Sequence, residues 1–454
     1  MSTADEKEVY QAGTLTYSLK KLLLSGALVM ASRLALLLVS SCLIPLLKPL
    51  LLDKAGANAA QIALIIGTIP SILNAVLCPI ISTISDKTRT KWGRRTPYLL
   101  FSAPVLGGIV VLIGFYQEIA AFLTRHLIPN TPANVPLIIL SVLIILFQIA
   151  FLFPGSVVYY LEADIIPQKC FGRYMAIASI FSSAASACFG YFATQYVELH
   201  TKSLLAIFAF GYVSVYVLQA LFAKEGEYPP VKNQVKCEGN LMRRLVKHVV
   251  TYFRQCFSYK IYIALALCSG LNTASNVCRS MYNLLFATKD LGVSLELFGK
   301  ITSVSGVVSA ILVYFAGKLM DRTHPMLIYF LGGILVIFIN AFGYFFAIGP
   351  KSYSVVAVIT ALVYAFQSLA AIPLLARIFP RDKFGQFCSG NSLVTHIVMI
   401  GATAFGGVVT QIYGYRIMFV WDFIVTILAM LALYVVFSEW KRFGGKNYKA
   451  PEVE

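Results

Sequence analysis

Long apolar runs separated by short polar loops set the pattern of this chain. A helix needs about 20 predominantly apolar residues to cross the hydrocarbon core of a bilayer. Runs of that length fall near 22–47, 60–84, 98–117, 136–163, 173–196 and 203–223. After a polar stretch they resume near 261–286, 298–319, 326–348, 353–377, 386–411 and 415–438. The pattern predicts an all-α polytopic membrane protein with twelve transmembrane helices. Its expected parts are an N-terminal tail (1–21), a six-helix bundle (22–223), a linker (224–259), a second six-helix bundle (260–438) and a C-terminal tail (439–454). Residues 1–21 carry Asp5, Glu6, Lys7 and Glu8 and no small-residue cleavage site, so they read as a cytoplasmic tail rather than a signal peptide.

Composition agrees with the pattern. The 454 residues are 58% hydrophobic and only 13% charged, too few charges to cover the surfaces of soluble domains, which run about 25% charged. The net charge of +17 would suggest nucleic acid in a soluble protein. Here its distribution explains it. With both termini inside, the cytoplasmic segments hold 27 Lys and Arg, the outer loops 8, and the spans two, Arg33 and Arg279. That bias is the positive-inside signature, so no nucleic-acid partner is expected. Nine cysteines spread singly, without a C-x-x-C pair, read as small apolar fillers rather than a disulfide framework or a metal site.

The two halves repeat. Pro167, Phe171 and Gly172 after the fourth span recur as Pro380, Phe384 and Gly385 after the tenth, at one offset of 213, each Gly followed two residues later by an aromatic. Asp86 after span two matches Asp321 after span eight. Matching loops in the same order imply parallel six-helix repeats, a plan of secondary transporters that alternate access to a midplane site.

The most specific string is S-D-K-T-R-T-K-W-G-R-R-T-P, Ser85 to Pro97. Together with Gly317-x-x-x-Asp321-Arg322, it resembles the signature loops of the major facilitator superfamily. Within that superfamily it is similar to the glycoside–pentoside–hexuronide:cation symporters, which include melibiose permeases, and to their relatives the sucrose transporters. Tyr160, Asp164, Gly172 and Arg173 add weaker support. The resemblance implies the major facilitator fold over roughly 22–440. It also implies a cytoplasmic gating loop built from Asp86, Arg89, Gly93, Arg94, Arg95, Asp321 and Arg322. One departure stands out: the sodium-coupled members carry aspartates in the second helix, whereas Gln61 to Thr83 contains none.

Depth in the membrane selects candidate binding residues. Arg33 lies about eleven residues into span one, and a charge at the midplane is expensive enough to suggest a function. It would hold a substrate carboxylate or phosphate, or pair with Glu162. Asn74, Gln148, Ser182, Ser183, Asn272, Gln367 and His396 lie at similar depth, and Tyr159, Tyr160 and Tyr364 add ring faces and hydroxyls. Amides, hydroxyls and aromatic faces are what sugar recognition needs. Asn272, Asn276, Arg279 and Asn283 form a stripe expected to line the cavity, with Arg279 near the outer end of its span and able to snorkel. Glu162, Asp164 and His396 are the cation-coupling candidates. Pro154-Gly155 and Pro373 are expected to break spans four and ten, and Leu241 to Val250 to form an interfacial amphipathic helix.

Enzyme motifs are absent, so no catalytic residue, metal or cofactor is expected, and a proton or sodium ion would be co-transported. The expected function is secondary active transport of a sugar or glycoside by a monomer in the cell (inner) membrane, both termini cytoplasmic. Two alternatives remain: a facilitator or carrier of an anionic substrate such as a hexuronide, and a non-transporting membrane receptor or intramembrane enzyme.

Overall fold

The computed structural model describes residues 10–12, 15–87, 90, 92–93, 95–126, 134–223, 225, 254–380, 383–445 and 448–451. Among them, twelve helical spans are long and apolar enough to cross a membrane. In the first six positions these are Lys20–Lys54, Ala59–Leu77, Thr96–Gly114, Val135–Gly155, Arg173–Tyr196 and Thr201–Phe222. The second six are Lys260–Asp290, Leu295–Gly317, Pro325–Phe346, Pro350–Ile378, Phe384–Tyr413 and Ile417–Arg442. A short antiparallel pair of strands, Tyr10–Ala12 and Leu15–Tyr17, precedes span one. The expected interfacial helix at 241–250 lies outside the described residues.

Each span forms for the reason its sequence suggests, with three corrections. Span one runs on to Lys54, so Lys48 lies within a helix rather than in an outer loop, its Nζ 4.8 Å from the centre of the Phe147 ring. Pro154 does not break span four, because the helix continues from Val135 to Ile165 through it. Neighbouring helices and local adjustment tolerate such a proline in lipid. Span seven, which has no proline, is broken instead at Asn276, between helices Lys260–Ser275 and Val277–Leu285. Span ten does break, at Ala370, three residues before Pro373. Spans one, two, five and seven each carry a π turn (Leu38–Leu43, Leu64–Thr68, Phe189–Ala193 and Phe286–Asp290).

The chain divides into two units, one of Met1–Ala57 and Leu73–Lys232, the other of Asn58–Ile72 and Asn233–Glu454. In the first, span one packs on spans five and six, and span three on spans four and six. In the second, span seven packs on eleven and twelve, and span nine on ten and twelve. Every one of these pairings recurs six spans later, as two parallel six-helix repeats require. Lipid gives helices no hydrophobic reason to associate, so close approach at small residues takes over. A Cβ at Gly107 of span three would stand 2.6 Å from the Val213 side chain of span six. Large apolar side chains such as Phe210, Phe338 and Phe345 cover the exposed faces, which suits hydrocarbon and not water.

Candidate functional site

In the first unit, Arg33 meets Glu162. Its Nη1 lies 2.8 Å from Glu162 Oε2 and 3.6 Å from Met175 Sδ. Glu162 is fully buried and Arg33 is 18% exposed. Of the two roles open to Arg33 in the sequence, the structure contains the ion pair. Asp164, two residues on, does not join it. It pairs instead with Arg95 at 2.9 Å, at the start of span three.

Glu225, which the sequence did not single out, completes that second cluster. Its carboxylate accepts hydrogen bonds from the backbone N–H groups of Arg95 and Thr96 and from the Thr96 hydroxyl. A carboxylate suits this place, because the first turn of a helix has unpaired N–H groups and a partial positive charge. Gly93, at φ 103°, turns the chain next to it. Asp86 ends the helix Ile69–Lys87, and Asp321 and Arg322 end the helix Leu295–Arg322. Their side chains, those of Tyr159 and Tyr160, and the whole of Arg89 and Arg94 lie outside the described residues.

The other first-unit candidates are dispersed. Gln148 is buried next to Phe147 on span four, and Asn74 is half-buried on span two. Ser183 is exposed, whereas the Ser182 hydroxyl is buried with no hydrogen-bond partner.

The second unit contains a network the sequence left in pieces. Arg279 does not snorkel. Its Nε lies 2.8 Å from Asp422 Oδ2, and its Nη2 donates to Asn340 Oδ1. Tyr364 donates to the same Asp422 oxygen at 3.0 Å. The guanidinium also lies over the rings of Phe419 and Tyr364. Asp422 is fully buried, and its other oxygen, Oδ1, has no hydrogen-bond partner. A single acid inside an apolar span was the available signal for Asp422. The expected polar stripe therefore divides. Asn283 accepts from the Tyr353 hydroxyl at 3.1 Å, Arg279 faces Asp422, and Asn276 marks the helix break. Gln367 packs against Gly332 and is 2% exposed.

Asn272 and His396 do come together. They line a cavity of about 260 Å³ with Ser269, Thr273, Asn391, Ser392 and Thr395, backed by Tyr329 and the aliphatic chains of Leu265, Leu374 and Leu375. The side-chain oxygens of Asn272 and Asn391 are buried without a partner. A buried acceptor left unmet costs about 1–3 kcal/mol, so these two oxygens favour a ligand that brings O–H or N–H donors. Among the described residues, the wall carries no carboxylate, lysine or arginine.

The sequence pattern of the Major Facilitator Superfamily matches residues 29–366 and, a second time, 265–452. No curated protein sequence matches the chain. Among solved structures, a bacterial homologue of the human lysosomal transporter Spinster, inward-facing and occupied, is similar at a TM-score of 0.67. Identity is 13%, over 95% of this chain and 98% of that one. A bacterial homologue of the iron transporter ferroportin, also inward-facing, gives 0.66 at 14% identity, covering 92% and 98%. A peptide transporter with bound sulfate gives 0.63 at 12%, covering 94% and 95%. At these identities the likeness is one of fold. The sequence pattern covers most of the chain, and the protein belongs to the major facilitator superfamily.

Proposed function

We infer that this transporter moves a neutral, hydroxyl-rich solute of the sugar or glycoside class by alternating access, together with a proton or sodium ion. The observation that carries the substrate class is the second-unit cavity. Two unpartnered amide oxygens, five hydroxyls and an imidazole line it, with no carboxylate, lysine or arginine among the described lining residues. Sugar hydroxyls both donate and accept, and such a wall meets them in either role. The Ser85 to Pro97 string, with its resemblance to the glycoside–pentoside–hexuronide symporters, supports the same class. So does the state of Arg33, whose charge is already met by Glu162. The anionic-substrate reading needs that guanidinium to change partners.

The excess of basic loops supports a plasma-membrane orientation with both termini in the cytoplasm. The Arg95, Asp164 and Glu225 cluster supports a gating role for the loop that ends at Pro97. The test of substrate class is uptake into proteoliposomes of labelled neutral disaccharides and pentosides beside labelled hexuronides. The reading expects neutral glycosides to enter and hexuronides to be excluded. Preferential entry of hexuronides would overturn it.

A further inference from the structure

We propose that Asp422 is a proton-binding residue of this transporter, and that its protonation releases Arg279 and with it the outer half of span seven. The use of that proton in coupling rests on the transport reading above; the test of its binding does not.

Four spans meet in the network around this carboxylate, span nine through bonds of Asn340 to Arg279 and Tyr364. Arg279 comes from span seven, Asn340 from span nine, Tyr364 from span ten, and Asp422 itself from span twelve. Cys278 of span seven is the other titratable neighbour. Span eleven also packs on twelve, but its histidine, His396, lines the cavity with Asn391. Asp422 Oδ2 receives both the Arg279 and the Tyr364 hydrogen bonds, whereas Oδ1 is fully buried with none. An ionised carboxylate in lipid-depth surroundings wants all its lone pairs met. The open Oδ1 is the place where a proton binds at no cost in broken hydrogen bonds.

The ligand is a proton rather than a metal ion. No group of three metal-ligating acids, histidines or cysteines exists among the described residues. When the new O–H bond forms on Oδ1, the carboxylate loses its charge and the ion pair with Arg279 loses its Coulombic part. Arg279 stays cationic, so the net charge of the pair rises from zero to plus one. The pair then has reason to separate or to meet water.

Arg279 sits three residues beyond the break at Asn276, in the short helix Val277–Leu285. Its link to Asp422 therefore ties that short helix to span twelve across a ready hinge. The neighbour of Asp422, Trp421, watches the same hinge. Its indole N–H donates at 2.9 Å to the carbonyl of Ala274, in the last turn before the break.

Trp421 supplies the readout, since the chain has only three tryptophans. The full-length protein, purified in detergent with Trp92→Phe and Trp440→Phe, is titrated over roughly pH 5 to 8 while Trp421 emission is recorded. The proposal expects one sigmoidal transition. In Asp422→Asn the transition is lost, and the spectrum at every pH matches the acid form of the parent. In Arg279→Gln the midpoint moves up by about one pH unit or more, because the neighbouring positive charge is gone. A flat titration of the parent protein overturns the proposal whatever the variants do. So does a transition that survives in a folded Asp422→Asn. In proteoliposomes under an inward proton gradient, Asp422→Asn should lose accumulation of the transported disaccharide and keep its exchange. Retained accumulation would refute the coupling role.

Discussion

Glu225 fills the space that a side chain at position 93 would need. A Cβ built on Gly93 would stand 2.5 Å from the carboxyl carbon of Glu225. That carboxylate caps span three from the far end of the first repeat. Glycine is required here twice over, by the positive φ of 103° and by the carboxylate pressed against it. Glu225→Ala should cost about 0.5–2 kcal/mol, the usual loss for an N-terminal cap. Glu225→Gln keeps an acceptor oxygen and should lose less. Gly93→Ala should destabilise as well. Thermal unfolding of the purified variants checks the order, and an Ala variant as stable as the parent would show that the cap contributes nothing.

Arg33 and Glu162 form a pair whose halves depend on each other. Arg33→Gln leaves a fully buried carboxylate with no counter-charge, and losses of about 3–5 kcal/mol are typical when one partner of a buried pair is removed. Arg33→Gln with Glu162→Gln should recover most of that loss. The double variant should also retain uptake of a neutral sugar if Arg33 serves only the pair. Stability and uptake measured on the parent, both single variants (Arg33→Gln and Glu162→Gln) and the double variant separate the two roles. A double variant that is stable yet unable to transport, beside a Glu162→Gln variant that still transports, would assign Arg33 to the substrate.

His324 makes stability at the start of span nine depend on pH. Its Nδ1 accepts a hydrogen bond from the backbone N–H of Met326 at 3.2 Å, which only the neutral ring can do. Burial first, and then the nearby Arg377 charge, hold the imidazole below its ordinary value. The unfolded chain therefore binds a proton there before the folded chain does. The contribution of His324 is complete above about pH 6.5 and falls away as the pH drops below that value. Asn also caps helices well, so His324→Asn should keep the cap and lose this acid sensitivity. Melting temperatures of both proteins across that range, compared as a difference, test it. A difference that does not vary with pH would contradict the assignment.

The spans were legible because length and apolarity are written residue by residue, and the repeat because loops at one offset match. Arg33 was legible as half of a pair because a charge inside a span calls for a counter-charge and Glu162 is an acid at the inner end of span four. Asp422 was not matched to Arg279, since that contact depends on how spans seven and twelve pack rather than on sequence spacing. The break at Asn276 carries no proline or glycine to mark it, while Pro154 carries the mark and no break follows. Glu225 sits in a polar segment where an acid looks ordinary. Its role arises only once the end of span six reaches the start of span three. Among the depth-selected polar residues, Asn272 and His396 share a cavity, and Gln367 is spent on helix packing.

The central claim is that the second-unit cavity reads solute hydroxyls through Asn272 and Asn391. Its most direct test is uptake of a transported glycoside by Asn272→Leu and Asn391→Leu reconstituted beside the parent protein. Loss of one hydrogen bond to a buried amide is worth about 1–3 kcal/mol. Each variant should therefore lower kcat/KM by roughly 5- to 150-fold by that estimate, with the protein still folded. Unchanged uptake in both variants would place sugar recognition elsewhere and contradict the account.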